Sequence, residues 1–155
     1  MSNDSAPAVN LRFLYAFCND VEPVRHFYTE LLGMQETNFR NSEEMGWVVY
    51  QSDGLELMFF RLDKSVQDPG DWAWQPGGTV EDAVPRMSFS ILVPWTEYAA
   101  TVERLQRAEV RTQSPQPVWR QDGYFGLTVA DPAGNTVEVC STPPEKPEST
   151  TWPVH

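Results

Sequence analysis

The chain has 155 residues, 41% of them hydrophobic, enough for one globular core or two small modules sharing one. Its 22 acidic residues against 11 basic ones give a formal charge of -11, which disfavours nucleic acid and anionic lipid as partners. No stretch reaches the ~20 apolar residues that span a bilayer, and Met1 to Asn10 is polar rather than leader-like.

Two cysteines, Cys18 and Cys140, lie in apolar runs and are expected to be buried free thiols rather than a disulfide framework. A cytoplasmic protein is the expectation. Histidine is scarce: only His26 and His155 occur.

Taken in order, Asn10–Phe17 is an aromatic-rich strand. Asn19 and Asp20 are candidate helix caps, Glu22 stands where a capping box needs it, and Pro23 is tolerated in a first turn. Val24, Phe27, Tyr28 and Leu31 make one apolar stripe, and Gly33 stops the helix. Gln35–Phe39, Trp47–Tyr50 and Leu55–Phe60 read as strands separated by turns. Residues 63–85 hold Pro69-Gly70, Pro76-Gly77-Gly78 and Pro85, but also Trp72 and Trp74. Tryptophans suit a connection lying on the domain, a partner or a ligand mouth better than a free linker.

The pattern then returns. Met87–Val93 is a strand, Thr96 is a helix cap, and Tyr98, Val102 and Leu105 share a helical face. An extended segment from Val110 is interrupted by Pro115 and Pro117, which places it at a sheet edge. Tyr124–Ala130 and Thr136–Cys140 are strands around the turn Asp131-Pro132-Ala133-Gly134-Asn135. The expected organisation is therefore a module at 9–62, a connection at 63–85, a second module at 86–141 and a flexible tail at 142–155. The fold class is α+β, with two paired β-α-β-β-β modules.

Strand alternation sorts the side chains. Leu55, Leu57 and Phe59 point to one face, and Glu56, Met58 and Phe60 to the other. Val137 and Val139 likewise oppose Thr136, Glu138 and Cys140. The apolar faces suit helices. Glu56 and Glu138 then fall on the mixed faces, at equivalent places in the two repeats. An unpaired carboxylate is costly to bury, so each is either solvated or set in a pocket where it binds a metal, handles a proton or attracts a cation.

Two motifs carry a family resemblance. One is Asp20-Val21-Glu22-Pro23-Val24-Arg25-His26-Phe27-Tyr28 followed by Leu31-Leu32-Gly33-Met34. The other is Asp131-Pro132-Ala133-Gly134-Asn135 followed by Val137-Glu138-Val139. In this order and spacing they resemble the vicinal oxygen chelate superfamily of glyoxalase I, extradiol dioxygenases and bleomycin-resistance proteins, across Val9 to Cys140. The resemblance implies that the paired modules form an open, barrel-like cup, with metal ligands on the strands of the enzymes. By the same resemblance the first ligand position, seven residues before the helix-starting Asp20, falls on Phe13. The second falls on Glu56, the third on Ser88 within a residue or two, and the fourth on Glu138. Phe13 cannot ligate, so no metal and no cofactor are expected. His26 belongs to the first helix, and Cys140 lacks a thiolate partner.

The metal-free members implied by the resemblance are drug-binding resistance proteins, commonly homodimers with ligand grooves at the interface. The expected function is accordingly metal-free binding or sequestration of a small aromatic or cationic compound, as in antibiotic resistance. The expected lining is Phe13, Tyr15, Trp47, Glu56, Met58, Ser88, Trp119 and Glu138. Phe13 and Phe17 could equally be core, and Trp47 a dimer contact. The alternative is a glyoxalase-like lyase, isomerase or dioxygenase using Glu56 and Glu138 as base or ligands. Asp53, Asp122 and Glu44 fit loop and surface roles. The chain has no phosphate loop, and a Ser-His or Cys-His mechanism is poorly served by two histidines.

Overall fold

The computed structural model describes residues 13–68, 70–78, 81, 83 and 87–153. Each half of the chain is a four-stranded sheet with one helix against one face. The first half comprises β1 (Phe13–Cys18), α1 (Val21–Arg25), β2 (Glu36–Asn41), β3 (Gly46–Ser52) and β4 (Leu55–Arg61). The second comprises β5 (Ser88–Leu92), α2 (Trp95–Arg107), β6 (Val118–Arg120), β7 (Tyr124–Ala130) and β8 (Thr136–Ser141). Strand orders are β1-β4-β3-β2 and β5-β8-β7-β6, with β1/β4 and β5/β8 parallel and the other pairs antiparallel. Both halves thus have the β-α-β-β-β order expected from the sequence.

Local chemistry explains the helix ends. Asp20 caps α1 by accepting from the Glu22 amide at 3.1 Å. Asn19 does not cap: its amide donates to the Leu62 and Lys64 carbonyls, and its carbonyl accepts from the Val66 amide. It ties the start of the connection to the end of β1. After Arg25 the helix widens into a π-helical stretch, His26–Leu31, and Gly33 (φ 76°) turns the chain out in the left-handed region. The second helix starts one residue before the expected cap Thr96, with Pro94 at the N-cap.

Ala16, Val48, Tyr50, Leu57 and Phe59 face α1, where they meet Val21, Val24, Phe27 and Tyr28. Phe125, Leu127, Val129, Val137 and Val139 face α2 and meet Tyr98, Val102 and Leu105 in the same continuous core. Fully burying one such side chain stabilises by roughly 1.5–3 kcal/mol. Polar bonds join the halves as well. The Tyr28 hydroxyl donates to Asp131 Oδ2 at 2.7 Å, and Arg104 Nε donates to the Leu31 carbonyl at 3.0 Å. Asp131 also accepts from the Ala133 and Asn135 amides and the Asn135 side chain. Burial pushes its carboxyl above the usual range although these hydrogen bonds pull the other way. The same burial, reinforced by Asp131, pushes the Tyr28 hydroxyl well up.

Two connecting regions are more structured than their composition suggests. The described part of the connection crosses the second sheet. The Ala73 amide donates to Thr136 Oγ1 at 2.9 Å, Arg111 sits 4.4 Å over the Trp72 ring, and Gln75 is buried. In the tail, which the sequence reading treats as flexible, Trp152 packs edge-on against Trp95, Tyr98 and Phe125, with ring centroids 5.3–6.2 Å apart. An indole finding an aromatic cluster outweighs the local preference of a proline-rich segment. His155 lies outside the described residues.

Candidate functional site: two unlike sheet faces

On the first sheet, the face turned away from α1 is open and aromatic. Strand register sets Phe13 beside Glu56, Tyr15 beside Met58 and Phe17 beside Phe60, while β3 adds Trp47 next to Phe60. Alternation places all of these on one face. Phe13 and Tyr15 stack with centroids 5.2 Å apart, and Trp47 stacks on Phe60 at 6.5 Å. Tyr15 is 60% exposed and Phe17 49% exposed, unusually high for neighbouring aromatics. Glu56 is half-buried between them, and among the described residues no cation lies within ion-pair distance of it.

The equivalent face of the second sheet is polar and closed. Glu138 is 2% exposed. One of its oxygens accepts from Arg120 Nη1 at 2.6 Å and from the Tyr124 hydroxyl at 3.1 Å; the other accepts a short hydrogen bond from Ser90 Oγ. Arg120 Nη2 donates to Thr128 Oγ1 at 3.0 Å, which in turn donates to Gln75 of the connection at 2.7 Å. Burial, followed by the Glu138 charge, pushes the Tyr124 hydroxyl up to about 12. Two glycines make room for this cluster. A Cβ on Gly126 would come within 2.9 Å of both Arg120 and Glu138, and one on Gly77 within 3.0 Å of Arg120 Nε. Gly77 also has φ 90°.

This cluster decides how the family's metal positions fit a metal. Phe13 offers no lone pair. Register sets Ser90, two residues beyond Ser88, opposite Glu138, and Ser88 instead donates to the Trp74 carbonyl at 2.8 Å. Glu138 is already neutralised by a guanidinium. Among the described residues no group of three or more His, Cys, Asp and Glu side chains could hold a metal. The residues do not fit a metal site of the family kind.

The other expected residues divide in the same way. Trp119, expected near the cup, lies on the helix side of its strand, 4.9 Å edge-on from the core ring of Phe125. Its one-residue offset from Arg120 on β6 turns it away from the cup. Glu56 and Glu138 occupy separate sheets, one available and one consumed. His26 pairs with Glu30 at 2.8 Å on the surface, and Asp122 pairs with Lys146 and Trp119. Asp53 occupies a turn with φ 40°, and Glu44 is exposed. Burial pushes the Cys18 and Cys140 thiols up to about 11, as befits inert cysteines.

Sequence reasoning missed Arg120, Ser90 and Gln75. A usable signal was present for Arg120: a lone cation at strand spacing, opposite a strand containing Gly126.

A groove of about 630 Å³ lies between the modules on the helix side. Its walls are Leu14, Leu55 and Leu57 of the first sheet, Phe89 and Ile91 of the second, and one side of α2 at Glu97, Thr101 and Arg104.

Duplicated β-α-β-β-β modules, each with a face free of its helix, define a class of two-module α+β proteins in which those faces are the natural binding surfaces. The chain belongs to the Glyoxalase/Bleomycin resistance protein/Dioxygenase superfamily, whose family model matches residues 11–139. It is similar to a lactoylglutathione lyase from Agrobacterium tumefaciens, at 17% identity over 87% of this chain and 95% of that one, with a TM-score of 0.56. It is also similar to the fosfomycin resistance protein FosX from Listeria monocytogenes (12% identity, 90% and 97% covered, TM-score 0.60). A glyoxalase/dioxygenase from Nostoc punctiforme shares 17% identity over 86% and 91% of the two chains, with a TM-score of 0.62. At such identities these likenesses show the fold alone. A search of curated proteins gave no match. No helix among the described residues is long and apolar enough to cross a membrane.

Proposed function

We propose that this protein binds, without a metal and without turnover, a small planar compound carrying a cationic group, as a sequestering resistance protein does. The observation that carries the reading is the open face of the first sheet, where two stacked aromatic pairs flank Glu56, which makes no ion pair among the described residues. Aromatic faces hold a planar ring by stacking, and a half-buried carboxylate supplies charge for a cation. Phe13, Tyr15, Trp47, Met58 and Glu56 form the site. Glu138 and Trp119 leave it, because one is neutralised and the other faces the core. A second copy of the chain covers the face and turns a flat surface into a groove, making the active form a homodimer. A catalytic role as lyase, isomerase or dioxygenase is less well supported, since its second carboxylate is locked to Arg120.

The test is fluorescence titration with a planar cationic dye such as ethidium, monitoring tryptophan quenching in metal-free buffer. Quenching should saturate, weaken strongly in Glu56→Gln and Phe13→Ala, and be unaffected by chelator. Saturation that is identical in both variants would overturn the reading, as would near-stoichiometric metal in protein purified without added metal.

A further inference from the structure

The groove between the modules is built mainly from helix-side residues of both sheets, with Ser90 of the Glu138 cluster at its border. Leu14, Leu57, Phe89 and Ile91 belong to the helix-facing sets of their strands, although Leu14, Leu57 and Phe89 also border a smaller cavity beside Tyr15 and Phe17. The groove exists because β1 and β5 are the outer strands of their sheets. The space between them is mostly apolar, with Gln35, Gln51, Ser52 and Ser90 also on its walls. Its volume of about 630 Å³ lies inside the roughly 300–1,000 Å³ typical of small-molecule sites.

One charged group distinguishes the groove from a packing gap. Arg104, half-buried on α2, lines it. In a chain with 22 acidic residues, a half-buried guanidinium would ordinarily have a carboxylate partner. Arg25, Arg107, Arg111 and Arg120 each have one, whereas Arg40 lies over the Trp47 ring and the half-buried Arg61 bonds to Asn41 Oδ1 and the Ser42 and Glu43 carbonyls instead. Among the described residues Arg104 has no carboxylate partner: its neighbour Glu97 lies two helical turns away on the same groove wall and makes no ion pair with it. Arg104 is nevertheless held in place. Nε donates to the Leu31 carbonyl at 3.0 Å, and Nη2 donates to Thr101 Oγ1 at 2.8 Å. Thr101 is in turn fixed to the Glu97 carbonyl at 2.9 Å. A guanidinium carries five N–H donors, so three remain for a planar acceptor.

We propose that this groove is a second binding site, which takes a molecule with an apolar body and a terminal carboxylate held by Arg104. The chemistry follows from the two parts of the lining. Leucine, isoleucine and phenylalanine favour an alkyl or aryl body, and a preorganised guanidinium with no ion-pair partner among the described residues favours a carboxylate. The overall charge of -11 slows the approach of an anion but acts weakly beyond a Debye length of about 8 Å at cellular salt.

The experiment is calorimetric titration of the full chain with decanoate and, separately, with methyl decanoate. Wild-type protein should bind one decanoate per chain. Arg104→Gln keeps a donor for the Leu31 carbonyl but removes the charge. It should weaken decanoate by about tenfold or more, the scale of a charge-assisted hydrogen bond, while methyl decanoate changes by less than about twofold. Ile91→Trp, which adds bulk inside the groove while keeping the Arg104 side chain, should abolish binding of both while leaving dye binding at the first sheet intact. Circular dichroism and thermal melting confirm that each variant is folded. Absence of decanoate binding to wild type, or equal decanoate affinity in Arg104→Gln, would overturn the proposal. Decanoate binding that survives Ile91→Trp would place the ligand elsewhere and overturn it too. Because the dye titration addresses a different face, either site can fail without the other.

Discussion

Removing Arg120 tests whether Glu138 is a structural group rather than a ligand-binding one. The two side chains are 2% and 3% exposed and 2.6 Å apart. Arg120→Met leaves the Glu138 carboxylate buried with hydrogen bonds from Ser90 and Tyr124 but no counter-charge. It also removes a donor from Thr128. Breaking a buried pair from one side typically costs about 3–5 kcal/mol. For a chain of this length that lowers the melting temperature by about 6–20 °C. Replacing both partners together, Arg120→Met with Glu138→Leu, removes the stranded charge and should recover most of the loss, because a buried pair and an apolar pair of similar volume are close in free energy.

Urea unfolding followed by tryptophan fluorescence gives the four free energies of the double-mutant cycle. A loss below about 1 kcal/mol in Arg120→Met would mean that water reaches Glu138. The closed second face would then be wrong, and Glu138 would return as a candidate for ligand or metal.

Other outcomes follow from the same geometry. Gly126→Ala should destabilise by roughly 1–3 kcal/mol in the same assay, because its Cβ would meet Arg120 and Glu138 at 2.9 Å. Tyr28→Phe removes a donor from buried Asp131 and should cost about 1–3 kcal/mol at neutral pH. Asp131 holds its proton in the folded state at a higher pH than its usual 3.8, so ionisation there disfavours the native state as pH rises. The Tyr28→Phe deficit should therefore shrink when melting is followed downward through the raised pKa; a deficit that grows on acidification would contradict this. Cys18 and Cys140, with thiols near 11, should resist iodoacetamide at pH 8 in native protein and react once it is unfolded in urea, as counted by mass spectrometry. Their raised pKa values contribute stability that is fully present below pH 9 and lost as pH rises through about 11.

Much of the fold was legible because it rests on local patterns. The stripe Val24-Phe27-Tyr28 and the alternation Leu55-Leu57-Phe59 each name a buried face without reference to the other half of the chain. The turn Asp131 to Asn135 was legible for a similar reason, since its hydrogen bonds close within five residues. The candidate site was half legible. Alternation set Glu56 and Met58 on one face, and the β1/β4 register sets Phe13 beside Glu56 and Tyr15 beside Met58. It misread Trp119, because a three-residue edge strand beside prolines carries too little pattern to fix which residue faces in.

The sequence by itself determined the duplicated modules, the faces of the long strands and the side of each sheet on which its glutamate lies. These depend on 2.0- and 3.6-residue periods that any short window contains. Only the tertiary structure decided that the two glutamates have opposite fates. Glu138 meets Arg120, 18 residues away on a neighbouring strand pair, under a connection whose Gln75 comes from 53 residues before Thr128. Glu56 has no such partner among the described residues. Which charge finds a counter-ion depends on contacts between segments distant in the chain, and those exist only once the sheets have formed.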